Sequence, residues 1–159
     1  MRILIYGINF YPELTGIGKY SGELSDWLSQ HGHEVRVVTA PPYYPAWKIS
    51  DGYSTTKWSK EFWGDCKIFR CPIWVPKNPT GLKRLIHLAS FVLTSLPIIL
   101  AQLFWRPDLI WVVEPPLFVS PIAYLGAKLC GSKTVLHIQD YEIDAARCSL
   151  YFSRSRLCR

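Results

Sequence analysis

RILIYGINFYPELTGIGKYSGELSDWL, residues 2–28, sets a short apolar run ahead of a loop and an amphipathic segment. Residues 2–6 (RILIY) have the continuous apolar character of a parallel strand covered on both faces. Residues 17–30 carry Ile17, Tyr20, Leu24, Trp27 and Leu28 at helical spacing, which predicts a helix with that face turned inward. Gly32 follows His31 as a left-handed cap. Strand, loop and helix make one βα unit, and such units hold ligands at the carboxyl ends of their strands.

Residues 34–39 (EVRVVT) read as a second strand, ended by Pro41 and Pro42. Residues 40–66 repeat no period and are rich in Pro, Tyr and Trp. So long a connection is either a functional excursion or an aromatic flap over the core edge. Residues 67–75 (KIFRCPIWV) form a strand that bends or ends at Pro72. A turn at Pro76–Gly81 leads into LKRLIHLASFVLTSLPIILAQLFW, residues 82–105, the longest apolar run. Its length is close to the ~20 residues of a membrane span. His87, Pro97 and Gln102 argue against a span, and a span would split one sheet in two. The remaining readings are a kinked core helix and a helix lying on a membrane, with Lys83 and Arg84 at its edge.

Residues 109–113 (LIWVV) and 133–138 (KTVLHI) are two further strands, with a packed helix over 118–130 between them. The alternation predicts an α/β class: a Rossmann-like, mostly parallel sheet flanked by helices. Residues 1–146 form this domain. Residues 147–159 (RCSLYFSRSRLCR) lack a face of either period. They read as a truncated or frame-shifted end, or as an ordinary basic tail.

The 159 residues fit one domain, and a hydrophobic content of 49% excludes disorder. The formal charge of +6 invites anionic partners such as nucleotides or a bilayer surface. No basic stripe, finger spacing or recognition helix supports nucleic-acid binding. The five cysteines are loosely spaced with no CxxC pair, which speaks for reduced cytosolic thiols and against a metal site. The apolar run at the amino terminus is too short for a signal peptide.

Several residues could carry chemistry. Gly16 and Gly18 are no dinucleotide fingerprint, because GxGxxG is absent. Two glycines at a helix start still let backbone N–H groups approach a phosphate or sugar; a plain turn is the alternative. Glu13, Thr15 and Lys19 line the same edge, or Lys19 is simply a solvated helix residue. Glu114 follows one strand; Asp140 and Glu142 follow the next. Carboxylates converging on one rim could orient a sugar hydroxyl or assist proton transfer, although each alone could be a structural partner. His137 lies inside a strand pattern, where it either packs or takes part in catalysis. No nucleophilic triad, GxSxG elbow, phosphate-loop motif or HExxH is present.

RILIYGINFYPELTGIGKYSGELSDWLSQHGHEVRVVTAPPYYPAW, with LIWVVEPP and VLHIQDYEIDAA, resembles the amino-terminal domain of retaining glycosyltransferases of family 4. Within that family the likeness is to enzymes of colanic-acid and related exopolysaccharide synthesis, and it covers residues 1–146. The resemblance implies a GT-B architecture of two Rossmann-like lobes, the amino-terminal one holding the acceptor and the other the nucleotide-sugar donor. Gly16 and Gly18 match the family's glycine loop, which faces the donor phosphates. Many members carry His before Asp at the end of the last strand; here Gln139 precedes Asp140, with His137 two residues earlier. Gln139 can hydrogen-bond a donor sugar but cannot act as an imidazole. Gln139, Asp140, Glu114 and His137 are thus the candidates for catalysis. The resemblance further implies retention of configuration without a metal or cofactor, a lipid-linked saccharide acceptor, and attachment to the inner face of the inner membrane. The expectation is one lobe, inactive by itself. The alternative is a non-catalytic module that binds the acceptor or a partner subunit.

Overall fold

The computed structural model describes residues 1–139 apart from Pro116. Strands β1 (Arg2–Tyr6), β2 (Glu34–Thr39), β3 (Ser59–Trp63), β4 (Cys66–Arg70), β5 (Leu109–Glu114) and β6 (Lys133–Ile138) form one sheet in the order β3-β4-β2-β1-β5-β6. Every neighbouring pair is parallel except the β3–β4 hairpin. Helices α1 (Gly16–Gln30), α2 (Gly81–Leu103) and α3 (Val119–Cys130) complete the described elements. The predicted α/β sheet is the observed one, with an antiparallel edge added.

The continuous apolar run of β1 has its reason in the two cores. Leu4 and Tyr6 join Phe91 and Ile99 of α2 and Ala123 of α3 on one face. Ile3 and Ile5 join Leu28 of α1 and Val35 and Val37 of β2 on the other. Full burial of a side chain such as Phe91 contributes about 2–3 kcal/mol.

Two local expectations are corrected. The buried face of α1 is Gly18, Ser21, Gly22, Ser25 and Leu28, with Ile17 and Leu24 packed beside it; of the predicted apolar set, Tyr20 and Trp27 do not turn inward. Tyr20 and Trp27 are more than half exposed. Small residues let the helix backbone approach the sheet and the Tyr11 ring closely, so the bulky side chains are displaced to the flanks. Residues 59–63, inside the supposedly aperiodic stretch, form β3. Glu61 and Trp63 are half-buried while Phe62 between them is exposed, so no apolar period marks it.

Helix α2 runs unbroken through Pro97. It buries His87, Leu88, Phe91, Ser95, Ile99 and Gln102, one face at helical spacing, and Tyr6 and Ser95 share a hydrogen bond of 2.6 Å there. The opposite face is apolar and exposed. Long and apolar enough to cross a membrane, α2 is nonetheless docked on the sheet, with a third of its most apolar window buried.

Candidate active site

From β1 the chain runs outward to β2 and β4 on one side and to β5 and β6 on the other, so the sheet reverses its winding beside β1. Open α/β sheets bind ligands in the crevice at such a switch point. A cleft of about 320 Å³ lies there. The loop after β1 and the start of α1 supply Asn9, Gly16 and Gly18. The segment after β2 supplies Tyr43, Tyr44 and Trp47; the first turns of α2 supply Arg84 and His87. Pro115, after β5, and Gln139, after β6, close the far side.

The glycine loop is shaped from beneath by Glu13. Only 4% exposed, its carboxylate accepts hydrogen bonds from the backbone N–H groups of Tyr43 and Tyr44, both 2.9 Å, and from Asn9 Nδ2 at 2.9 Å. One side chain thus ties the loop after β1 to the aromatic segment after β2. Gly18 sits directly on it: a Cβ there would come within 2.6 Å of Glu13 Cβ. Gly16 has φ of 56°, a left-handed conformation that glycine adopts without strain. Thr15 is extended and its side chain caps nothing, and the first turn of α1 has no acidic residue. The start of α1 thus meets the cleft with no Thr15 cap and no acidic residue in its first turn, and the Glu13 carboxyl lies against it from below at Gly18.

Burial pushes the Glu13 carboxyl above its usual range, and the N–H groups of Tyr44 and Tyr43, Asn9 and the Arg70 charge partly offset this. The folded state then holds this proton more tightly than the unfolded chain does. Its contribution to stability is full below the ordinary glutamate range and falls as pH rises toward the folded value. Glu13→Gln should remove this part of the slope, flattening unfolding free energy against pH above about 4.5. Thermal melts of both forms across that window provide the check.

A second buried charge braces the same rim. Arg70, at the end of β4 and 1% exposed, donates from Nε to Glu61 Oε1 at 2.7 Å and from Nη1 to the Ala40 carbonyl at 3.0 Å. Its Nη2 donates to the Tyr11 carbonyl. Sequence reasoning passed over Arg70, because an arginine closing a strand looks solvated until its partners are assembled. It also used His87 only as evidence against a span, although a histidine on the apolar face of a helix signalled a buried polar group.

The remaining candidates divide. Gly16, Gly18 and Gln139 meet at the cleft. Glu13 lies under it. Thr15 and Lys19 do not line it, and Lys19 pairs with Glu23 at 3.8 Å along α1. Glu114 is buried behind Pro115 and accepts a 2.7 Å hydrogen bond from Ser120 at the start of α3. His137 is also outside the lining; its Nδ1 accepts from Trp111 Nε1 at 3.4 Å, against the ring edge. Lys83 is exposed, whereas Arg84, expected beside it at a membrane edge, borders the cleft. Asp140 and Glu142 lie outside the described residues.

A mostly parallel sheet, helices on both faces and a cleft at its switch point define the amino-terminal lobe of a GT-B fold. The likeness extends to the catalytic domain of starch synthase IV from Arabidopsis thaliana bound to ADP and acarbose, with a TM-score of 0.56 at 15% identity over 86% of this chain and 33% of that one. The chain belongs to the glycosyl transferase 4-like domain family, whose model matches residues 15–159. It is 56% identical over 145 residues to a protein of Escherichia coli (strain K12) named "Putative colanic acid biosynthesis glycosyl transferase WcaI". The match takes in 91% of this chain and 35% of that protein, so the chain spans about a third of its relative's length.

Proposed function

We propose that this chain is the acceptor-side lobe of a retaining glycosyltransferase that moves a hexosyl unit from a nucleotide sugar to a lipid-linked saccharide, in exopolysaccharide synthesis of the colanic-acid kind. The observation that carries this reading is the convergence of Gly16, Gly18, Pro115 and Gln139 on one cleft at the switch point. Backbone N–H groups at Gly16 and Gly18 face the diphosphate of the donor that the other lobe holds, where the positive end of α1 favours negative charge. The Gln139 amide hydrogen-bonds a sugar hydroxyl, and Asp140 follows it in the chain. Glu114 and His137 support the rim from behind, one through Ser120 and the other through Trp111.

Titration of the chain with farnesyl-diphosphate-linked galactose and with UDP-glucose tests this division of labour. The lobe reading expects the lipid-linked sugar to bind and the nucleotide sugar to bind weakly. It also expects negligible sugar transfer by this chain, because a cleft open to water lacks the closed, preorganised field that transfer requires. Robust transfer by these 159 residues would contradict it.

The outer face of α2 supports attachment to a membrane surface. Leu82, Leu93 and Phe104 are 73%, 70% and 91% exposed and lie on one stripe with Ile86 and Leu100. The stripe is roughly 33 Å long at the rise of an α-helix. Lys83 and Arg106 flank its ends, and exposed Leu125 and Leu129 of α3 extend the apolar surface. Such a face lies in the headgroup boundary and is drawn by anionic lipid. Leu93→Glu with Phe104→Glu should weaken cosedimentation with phosphatidylglycerol vesicles by about tenfold or more, since each side chain contributes about 1.5–3 kcal/mol when buried. Equal sedimentation of variant and parent would remove α2 from the membrane face.

A further inference from the structure

His87 is fully buried at the wall of the cleft, and its two ring nitrogens are treated differently. Nδ1 lies 2.6 Å from the Trp74 carbonyl oxygen. A carbonyl only accepts, so Nδ1 carries the proton. Nε2 of the neutral ring is then a bare lone pair, and among the described residues it has no hydrogen-bond partner. A buried acceptor without a donor is destabilising, and in a native fold it calls for an explanation.

The surroundings restrict what could satisfy it. The Tyr43 and Trp47 rings stand 4.7 and 5.2 Å from the imidazole, centroid to centroid. An anion has no proton to give to the lone pair; a cation meets the positive charge of Arg84, which adds to burial in disfavouring protonation of His87. A neutral donor on a body with apolar C–H faces suits both the lone pair and the rings, and that is the chemistry of a sugar hydroxyl. Trp47, the half-buried member, has φ of 50°. A bulky residue keeps that left-handed conformation only where its surroundings impose it, and such positions cluster at ligand clamps.

We propose that His87 Nε2, between the Tyr43 and Trp47 rings, is the hydrogen-bond-accepting subsite for a hydroxyl of the saccharide held in this cleft. This rests on the acceptor-lobe reading and adds to it a residue that discriminates the sugar from its diphosphate-lipid carrier.

Two substitutions separate the nitrogens. His87→Asn keeps an amide nitrogen near the Nδ1 position to serve Trp74 and lacks the distal acceptor. His87→Gln keeps an acceptor near Nε2. The whole 159-residue chain is titrated with farnesyl-diphosphate-linked galactose and with farnesyl diphosphate. His87→Asn should lose about tenfold in affinity for the sugar-bearing probe and little for the bare diphosphate, as expected for one lost hydrogen bond. His87→Gln should restore most of the loss. In the unsubstituted chain, the ¹⁵N resonance of His87 Nε2 should move upfield with the galactose probe and stay in place with farnesyl diphosphate; this readout holds even if a variant misfolds. Binding of the sugar probe with that resonance unmoved, or with equal affinity for parent and His87→Asn, overturns the subsite and leaves the acceptor-lobe reading standing. Failure of both probes to bind the parent chain overturns both.

Discussion

Glu13→Ala is expected to lower the unfolding free energy by about 3–5 kcal/mol. The carboxylate is the acceptor for two backbone N–H groups and one side-chain amide, all in a nearly water-free setting. Removing it strands the Tyr43 and Tyr44 N–H groups, each at a penalty of about 1–3 kcal/mol. It also opens a gap beneath Gly18, whose backbone lies against the Glu13 side chain. Glu13→Gln is the control. Its oxygen can still accept from Tyr43 and Tyr44, and its nitrogen can donate to Asn9 once that amide is turned over, so its loss should stay near about 1 kcal/mol. Urea unfolding of the three forms measures the series. Equal losses for Ala and Gln would mean that charge, not acceptor geometry, holds the loop.

Arg70→Met should destabilise by about 3 kcal/mol. Truncating one partner of a buried ion pair typically costs about 3–5 kcal/mol, and the partial exposure of Glu61 screens some of that. The change also leaves the Ala40 and Tyr11 carbonyls without their donor. Those carbonyls belong to the two loops that Glu13 joins, so Arg70 and Glu13 brace one rim from two sides. Adding Glu61→Leu to Arg70→Met should recover part of the loss, because the stranded carboxylate goes with it. A double variant no more stable than the single would place the effect in the carbonyls instead.

The features legible in the sequence are those set by period and chain direction. Continuous apolar runs marked β1 and β5 as covered on both faces, and the bounds of β2 and β6 follow their apolar patterns. Parallel strands that end together put Gly16, Gly18, Glu114 and Asp140 on one rim; Gly16 and Gly18 do line the cleft, Glu114 turns to Ser120 instead, and Asp140 lies outside the described residues, while Gln139 is marked only by the family resemblance. The features that escaped depend on close approach and on partners distant in the chain. The small-residue face of α1 has no hydrophobic signal, since Gly18, Ser21, Gly22 and Ser25 act by what they leave out. β3 is an edge strand whose Glu61 is explained only by Arg70 across the hairpin. His87 gains meaning only when Trp74 takes one of its nitrogens and none of the described residues answers the other.

We expect the crevice beside β1 to receive the saccharide. Amide ¹H–¹⁵N spectra of the chain, recorded with and without farnesyl-diphosphate-linked galactose, test it most directly. Shifts are expected to concentrate at Tyr43, Trp47 and His87, with the β3–β4 edge unchanged. Shifts confined to that edge or to the outer face of α3, with the cleft signals still, would contradict it.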